Sequence, residues 1–347
     1  MTAIVKIYDK DGNAVGEVLA QCDRTWVLSG YGQTDFNLDY GNTYCREDIV
    51  RFGNYVLISA DSDKIPLWVG TIETPRNWMA DGINIKCYSI EWSLKNRVGP
   101  KNYKTTGTCA DMLTYILNYA NNQGSTRISL GTLFAGGSSM TETLNFTPLY
   151  DDIDRIVKRA AFDWGVDPVI DDHGKLSFQF NLWESRGEYH DSPQLFEGKT
   201  IELVDTPFSE EGDLWNDVTG YGDGATWASK PSYEEKVQSS ISKYGLRQHG
   251  KEFPGDKDLK TLQKNTEAYL ATYTEPRQKF VVNVVDDGDI FYYMRLGNSF
   301  PIKLHSFGFG KTERFGFSGI VKIFGMGYND DDNKIMIVTQ AQDDTGE

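Results

Sequence analysis

The residues of this sequence that could carry out chemistry lack the spacing of a catalytic or ligand-binding motif. One segment ends in Gly310-Lys311-Thr312 and matches the end of a phosphate-binding loop, in which backbone amides and a lysine hold phosphates. That loop needs a glycine five residues before Gly310, where His305 stands, and a helix after the threonine, where glycine and aromatic residues continue a β pattern. The segment therefore indicates a hairpin loop that could touch a partner, rather than a nucleotide site.

Histidines and acidic residues are also poorly spaced for catalysis or metal binding. The histidines are His173, His190, His249 and His305. They form no H-E-x-x-H or comparable pattern, so a zinc site or a Ser-His-Asp triad would have to be assembled from distant segments. The neighbouring acids are Asp151-Asp152, Asp171-Asp172, Glu210-Glu211 and Asp330-Asp331-Asp332. Adjacent carboxylates carry little information about a cleft and are typical of solvated turns, so we predict no catalytic residue, no metal ligand and no cofactor.

The stretch from Asp9 to Asn13 resembles the start of a calcium-binding loop. Ala14 stands where that loop needs glycine, however, and Ala20 where it needs a bidentate carboxylate. Asp11-Gly12 suits the positive φ angles of a tight turn, so a hairpin over residues 1–20 is predicted instead.

Tryptophans offer a different kind of site. The chain has eight, and they include Trp68, Trp78, Trp92, Trp164, Trp183, Trp215 and Trp227. Such rings could line a sugar-binding groove, although Trp68 and Trp92 lie in alternating apolar runs and are more simply interpreted as core. A carbohydrate-binding or glycan-cleaving β protein therefore stays open as the alternative function.

The elements that would position these residues show the clearest pattern, because one of them occurs twice. Arg51-Phe52-Gly53-Asn54-Tyr55-Val56-Leu57-Ile58 is echoed about 240 residues later by Arg295-Leu296-Gly297-Asn298-Ser299-Phe300-Pro301-Ile302. In each copy an apolar segment interrupted by glycine follows, Leu67–Ile72 and then Phe317–Val321. The third segments have period-two residues: Ile83, Ile85 and Cys87, and Ile335, Ile337 and Thr339. This spacing predicts strands, and hence one small antiparallel β unit built twice.

Eight residues are predicted to occupy equivalent positions of the two copies. They are Arg51, Gly53, Asn54 and Gly70 in the first, and Arg295, Gly297, Asn298 and Gly319 in the second. We expect the glycines to mark bends or bulges, where a strand tolerates glycine best.

Composition narrows the class of protein. A chain of 347 residues with 19 Tyr, 18 Phe and 34 Gly favours sheets and tight turns. The net charge of −15 argues against an ordinary nucleic-acid binder, because such a surface repels phosphates. Four cysteines without a C-x-x-C pair are typical of a reducing cytoplasm, and we expect neither a secretory signal nor a membrane span.

The chain is predicted to fold as three domains. Residues 1–98 would form the first barrel, 99–190 an α+β module, and 191–347 the second barrel. The module contains a helix capped by Thr108, a second helix opening at Asp151, and a hairpin around Asp172-His173-Gly174. The last domain also carries a polar, turn-rich excursion over 224–254, a helix over about 256–274, and a polar C-terminal tail.

The order of these parts resembles the baseplate-hub, or tail-associated, proteins of tailed phages and phage-like injection systems. Two β units containing Arg-Phe-Gly-Asn and Arg-Leu-Gly-Asn, separated by an α+β insertion and a helix, carry the resemblance over nearly the whole chain. The individual motifs are degenerate, so the arrangement is what is specific. It implies a mainly β fold with two similar tube-type β-barrels and a smaller α+β module.

The resemblance also implies a function, a location and partners. The family forms homotrimers at the tip of a tail tube, where two barrels per subunit present six similar barrels to a six-fold tube. The implied partners are a hexameric tail tube or distal tail protein, a tape-measure protein, tip fibre or spike proteins, and DNA that passes through the lumen without specific binding. The implied location is the virion tail, assembled in the host cytoplasm. Some members carry a C-terminal enzymatic or fibre part, which we expect this chain to lack.

We therefore predict a non-enzymatic structural protein, a trimeric hub that adapts a six-fold tube to a three-fold tip. A lateral adhesion module on the same particle is a further alternative. An adhesion module would lack the duplicated barrel. A comparison of the topology of the first and last thirds of the chain therefore distinguishes the hub from the adhesion module.

Overall fold

A computed structural model describes residues 3–60, 62–211, 213–286, 289–307, 315–330 and 334–341. Strands make up 46% of the structure and helices 19%, which confirms a mainly β fold with a nearly closed barrel and a half-barrel. None of the helices in the described ranges is long and apolar enough to cross a membrane. The hairpin loop with Gly310-Lys311-Thr312, the acids Asp331 and Asp332, and the C-terminal tail lie outside the described residues.

The first β unit is built from the amino-terminal third of the chain. Its strands are β1 (Ala3–Tyr8), β2 (Ala14–Ala20), β3 (Asp23–Val27), β4 (Gln33–Asp39), β5 (Tyr55–Ser59), β6 (Trp68–Trp78) and β7 (Gly82–Ser89). They follow the order β3-β4-β7-β6-β5-β1-β2, and every pair is antiparallel. The predicted hairpin at the start is confirmed, and its turn is closed by the Asp9 carboxylate, which accepts the Asp11 and Asn13 amides.

An α+β module follows a 3-10 helix at Ile90–Asn96. Its elements are β8 (Tyr103–Gly107), α1 (Cys109–Gln123), β9 (Ile128–Leu133), β10 (Met140–Leu144), α2 (Leu149–Ala160), β11 (Asp163–Ile170) and β12 (Leu176–Trp183). The predicted cap of α1 is confirmed, because the Thr108 hydroxyl accepts the Asp111 amide and the Asp111 carboxylate accepts the Thr108 amide. The second helix begins two residues earlier than predicted, at Leu149.

The second β unit uses the carboxy-terminal third. Its strands are β13 (Leu195–Phe196), β14 (Ile201–Glu211), β18 (Arg277–Val285), β19 (Ser299–Phe307), β20 (Phe315–Asn329) and β21 (Lys334–Ala341), with a short helix α5 (Ile290–Tyr293) before β19. They follow the order β14-β18-β21-β20-β19-β13. The segment β18-β21-β20-β19 has the same antiparallel order as β4-β7-β6-β5, which confirms that one β topology occurs twice.

A smaller subdomain leaves the second unit between β14 and β18. It consists of β15 (Asp217–Tyr221), a 3-10 turn (Trp227–Ser229), β16 (Ser232–Lys236), α3 (Gln238–Tyr244), β17 (Gln248–Glu252) and α4 (Leu259–Ala271). The exposed excursion predicted over 224–254 falls in this subdomain, where most residues are exposed or half-buried. Within it β16 and β17 flank β15 in a three-stranded sheet under α4. Helix α4 begins at Leu259 because the Asp258 carboxylate accepts the Thr261 amide.

Three hydrophobic cores fill these units. One lies inside the first β unit around Phe36 and Trp68, and one inside the second around Phe280 and Phe300. The third fills the α+β module around Trp164 and extends onto strands of the first unit. The domain limits at 98/99 and 190/191 stay a prediction.

Candidate functional site

Gly53-Asn54 and Gly297-Asn298 immediately precede β5 and β19 and form the same backbone turn in both units. Each of these two turns is called a corner here. Gly53 and Gly297 have positive φ angles of 77° and 87°. The Gly53 amide donates to Ile72 O at 3.1 Å, and the Ile72 amide returns a bond to Asn54 O at 2.9 Å. The Gly297 amide donates to Ile323 O at 2.8 Å, and the Ile323 amide returns a bond to Asn298 O at 2.9 Å. Each corner therefore ties the start of one strand to the middle of its neighbour.

The asparagine side chains hold these corners from inside. Asn54 Nδ2 donates to Ile49 O at 2.8 Å, and Asn298 Nδ2 donates to Tyr293 O at 2.9 Å. Both residues are buried. Each side chain thereby fixes the loop that precedes its strand, because it satisfies a carbonyl that the strand ladder does not reach.

The corresponding arginines and strand glycines are placed differently. Arg51 is exposed, whereas Arg295 is half-buried and its guanidinium donates to the carbonyls of Phe291, Met294 and Lys64. Gly70 lies opposite Val56 in the β5–β6 ladder. Gly319 lies opposite Ile302, two positions further from its corner.

A bulge interrupts β6 in the first unit and β20 in the second, just after the residue that bonds to the corner. The β6–β7 ladder changes register between Ile72 and Arg76, and the β20–β21 ladder between Ile323 and Gly325. Bulges bend a strand and increase its twist. Both units therefore carry a bent tip beyond the bulge.

The two units are joined through β3 and the tip of β20. Trp26 lies opposite Met326 and Arg24 opposite Tyr328 in an antiparallel ladder, so the two units share one continuous sheet. The Arg24 guanidinium forms a buried ion pair with Asp330 and lies 5.0 Å from the centre of the Tyr328 ring. The second Asp330 carboxylate oxygen accepts the Cys22 amide at 3.0 Å.

Two of the acidic residues interpreted as solvated turns are in fact buried. Asp330 and Asp152 are each 1% exposed. Asp152 accepts a hydrogen bond from Arg155 at 2.7 Å, and burial raises the pKa of its carboxyl. The partner of Asp330 is Arg24, far away in the sequence, and the partner of Asp152 is Arg155, one helical turn away. The runs of adjacent acids in the sequence do not reveal these arginine partners.

A cavity of about 1100 Å³ lies where the first unit, the module and the second unit meet. Trp26, Trp68, Trp164 and Trp183 line it, together with Glu91, Arg186 and His190. Burial raises the pKa of Glu91, against the opposing hydrogen bonds from the Ser89 hydroxyl and the Val166 amide. Beside this cavity the Lys322 ammonium binds Asp163 at 2.7 Å and links the second unit to the module.

The tryptophan rings do not form an open platform there. Trp164 stacks on Phe180 and the guanidinium of Arg186 covers Trp183. The Nε1 groups of Trp26 and Trp68 donate to Leu67 O and Thr25 O. Trp78 and Trp227 lie outside this lining and are exposed.

The histidines are not brought together. His173 lies in a hairpin turn, His249 stacks between Trp215 and Tyr269, and His190 lies beside Asn298. Within the described ranges, no group of three or more His, Cys, Asp and Glu could hold a metal ion.

Solved structures similar to this chain include tail proteins. Prophage tail protein gp18 from Listeria monocytogenes EGD-e matches with a TM-score of 0.61 and 12% identity, over 100% of this chain and 96% of that one. The 43 kDa tail protein of prophage MuSo2 from Shewanella oneidensis matches with a TM-score of 0.62 and 10% identity, over 98% of both chains. The tail protein from Neisseria meningitidis MC58 matches with a TM-score of 0.62 and 11% identity, over 99% and 98%.

The chain has the fold of these tail proteins. The sequence itself matches no protein-family model and no curated protein. The resemblance inferred from the order of parts is thus confirmed at the level of the fold. The tail-protein fold extends over all three units and includes the subdomain, because the matches cover almost the whole chain.

Proposed function

We propose that this chain is a structural tail protein that forms a homotrimeric hub at the distal end of a phage or phage-like tail tube. The observation that supports it best is the repeat of one strand order with one Gly-Asn corner in both β units. Three chains with two such units each would present six similar units to a six-fold tube and a three-fold face to the tip. The tail-protein fold of the similar structures supports the same assignment.

Each partner in this proposal follows from a position on the particle. A hexameric tail tube or distal tail protein would contact the six-unit face, and tip fibre or spike proteins the three-fold face. A tape-measure protein and the DNA would pass through the central channel. A chain with a net charge of −15 would repel the DNA backbone and let it slide without binding.

The proposal assigns no catalysis to this chain, and it places the protein in the virion tail. The residues that would serve the function are those of the two corners, the predicted equivalents Gly70 and Gly319, and the junction between the units. They act by fixing the shape of a building block.

The test is the mass and symmetry of the purified chain. Light scattering should give the mass of three chains, and class averages from negative-stain images should show six lobes around a hole with three-fold symmetry. A chain that stays monomeric at high micromolar concentration, or that closes as a ring of six chains, would contradict the hub.

A carbohydrate-binding role is the second candidate, because four tryptophans line one cavity and the Trp164 Nε1 has no hydrogen-bond partner in the described structure. The covered ring faces of Trp164 and Trp183 count against it, since sugars stack on open faces. Binding of cell-wall glycans that disappears in Trp183→Ala, by a chain that stays monomeric, would favour this candidate over the hub.

A further inference from the structure

The junction inside the chain shows how one β unit adds to the next. Strand β20 pairs with β21 along one edge. Its other edge pairs with β19 up to Lys322 and then, beyond the bulge, with β3 of the first unit. The tip of β20 is thus a docking edge, and β3 is the strand that docks.

The first unit has the same docking edge without an occupant. Strand β6 pairs with β7 as far as Trp78, but β5 pairs with its other edge only from Trp68 to Thr71. In the described part of the chain no strand pairs with that edge at Arg76, Asn77 or Trp78. Unpaired backbone at a sheet edge is a template for another strand.

The second unit has a strand equivalent to β3. In the first unit Arg24 lies opposite Thr34, which lies opposite Cys87. In the second unit Phe208 lies opposite Phe280, which lies opposite Thr339. Cys87 and Thr339 are equivalent, because they lie opposite Ile72 and Ile323, the residues bonded to the two corners. The part of β14 from Phe208 onwards therefore corresponds to β3, and β14 is the terminal strand of the sheet.

We infer that β14 of one copy of this chain pairs with the β6 edge of a second copy and repeats the β3–β20 junction between chains. The inference rests on the proposed trimer and identifies the surface through which it closes. Within the described residues the β6 edge and β14 are two different surfaces of the chain, so the contact runs head to tail, and in the proposed trimer it closes into a ring.

The internal junction fixes the register of this contact. Trp78 corresponds to Tyr328, since they lie opposite the equivalent residues Ile83 and Ile335. Arg24 lies opposite Tyr328, so Phe208 of the neighbouring copy would lie opposite Trp78. Two residues further along, Glu210 would lie opposite Arg76.

The side chains in this register are complementary. Trp78 is 63% exposed. The Arg76 guanidinium lies 4.5 Å and 5.3 Å from the centres of the Phe52 and Trp78 rings, and it binds the exposed Glu47 carboxylate at 3.2 Å, a partner that Glu210 would share. Glu210 is exposed. An aromatic cross-strand pair of Trp78 with Phe208 and an ion pair of Arg76 with Glu210 would result. An exposed tryptophan such as Trp78 is also among the residues that contribute most to protein interfaces.

Paired cysteines test the register directly. Asn77 and Ser209 would lie opposite each other, and cross-strand Cα atoms are about 4.5–5.5 Å apart, within disulfide range. In a Cys45→Ser background, Asn77→Cys with Ser209→Cys should give covalent dimers and trimers on a non-reducing gel. The matched control is Asn77→Cys with Ser232→Cys, at an exposed site on the small sheet, which should stay single-chain.

Charge exchange tests the same contact without a covalent bond. Glu210→Arg should weaken association at least about tenfold, and adding Arg76→Glu should restore much of the loss. Trp78→Ala should weaken association by a similar factor. Because the Trp78 side chain is exposed in the single chain, we expect this substitution to leave folding unchanged. Association is measured by sedimentation velocity, with circular dichroism as the check on folding.

The outcomes separate this inference from the function on which it rests. Trimers that form with wild-type affinity in Glu210→Arg and in Trp78→Ala, and without cross-links through Asn77→Cys, would overturn the β6–β14 contact and leave the hub in place. A chain that forms no oligomer would overturn both. Cross-linking specific to the designed pair together with the charge rescue establishes the contact.

Discussion

The two β units share a topology but differ in what holds their tips. The tip of β20 is paired on both edges and is fixed by Arg24, which reaches it from the other unit. The tip of β6 is paired on one edge, and its arginine, Arg76, comes from its own strand and contacts Val50 O at 2.8 Å. The tip of β20 is therefore a closed junction, in which both edges are paired, whereas the tip of β6 is an open one, in which one edge has no strand partner in the described residues. The difference teaches that similarity of fold and similarity of role are separate properties of a repeat.

The largest effect is expected where the closed junction is broken. Asp330→Ala would leave Arg24 as a buried, unpaired charge, so we expect a loss of about 3–5 kcal/mol in the free energy of unfolding. The measurement is urea unfolding followed by tryptophan fluorescence. Asp48→Ala is the control, since the ion pair of Arg46 with Asp48 is exposed and should be worth at most about 1 kcal/mol. Equal effects of the two substitutions would contradict the role of the junction.

The two corners should differ when glycine is replaced by alanine. Both substitutions place an L-residue at positive φ, which costs about 1–2 kcal/mol. At Gly53 the added Cβ meets open space, whereas at Gly297 it would lie 2.2 Å from Arg186 O, so a further overpacking cost of about 1–3 kcal/mol is expected there. Thermal unfolding of Gly53→Ala and Gly297→Ala measures the difference. A Gly53→Ala variant as unstable as Gly297→Ala would show that the corners are packed alike.

The asparagines of the two corners each hold a carbonyl of the preceding loop, and Asn298 also accepts the Glu188 amide at 3.0 Å, so its loss should cost at least as much as the loss of Asn54. Asn54→Ala and Asn298→Ala each remove a donor and leave a carbonyl, that of Ile49 or Tyr293, without it. We expect each to lower the free energy of unfolding by about 1–3 kcal/mol. Chemical denaturation of both variants side by side measures the two free energies of unfolding. An unchanged free energy in either variant would show that its asparagine does not stabilise the corner.

The smallest effect concerns Glu91, where the first unit meets the module. Because burial raises the pKa of this carboxyl in the folded state, the folded chain binds its proton more tightly than the unfolded chain. Stability therefore falls as the pH rises from the ordinary glutamate range through the raised pKa. Glu91→Gln should flatten this part of the pH profile of the melting temperature. Glu184→Gln, at an exposed bend, is the control for the loss of a surface carboxylate.

The strands, the caps and the repeat could be predicted because their signals are local. Period-two residues such as Ile83 and Ile85 face the core, and the Thr108–Asp111 pair lies within one helical turn. The small sheet was missed because the inward residues of β16 are polar, Tyr233 and Glu235, and alternate with other polar residues. A polar alternation does not tell a strand from a loop.

The junction could not be predicted for a different reason. Arg24 and Asp330 are 306 positions apart, and each looks like an ordinary surface charge in its own segment. Only the pairing of β3 with β20 brings them together and removes them from water. The equivalence of Gly53 with Gly297 was visible because the arginine two residues before each glycine and the asparagine after it repeat as well. The equivalence of Trp78 with Tyr328 was hidden because the bulges differ in length, which shifts the sequence alignment.

The subdomain that separates β14 from β18 leaves and re-enters the sheet at neighbouring points. Glu211 lies opposite Arg277, and a hydrogen bond from the Trp215 amide to Tyr273 O narrows the stalk just beyond them. A hairpin turn of a few residues would bridge the same gap. The two ends of the insertion are therefore close enough for a short turn to replace it without a change in the register of the sheet, and what such a deletion would remove is the ion pair of Asp256 with Arg159 of the module.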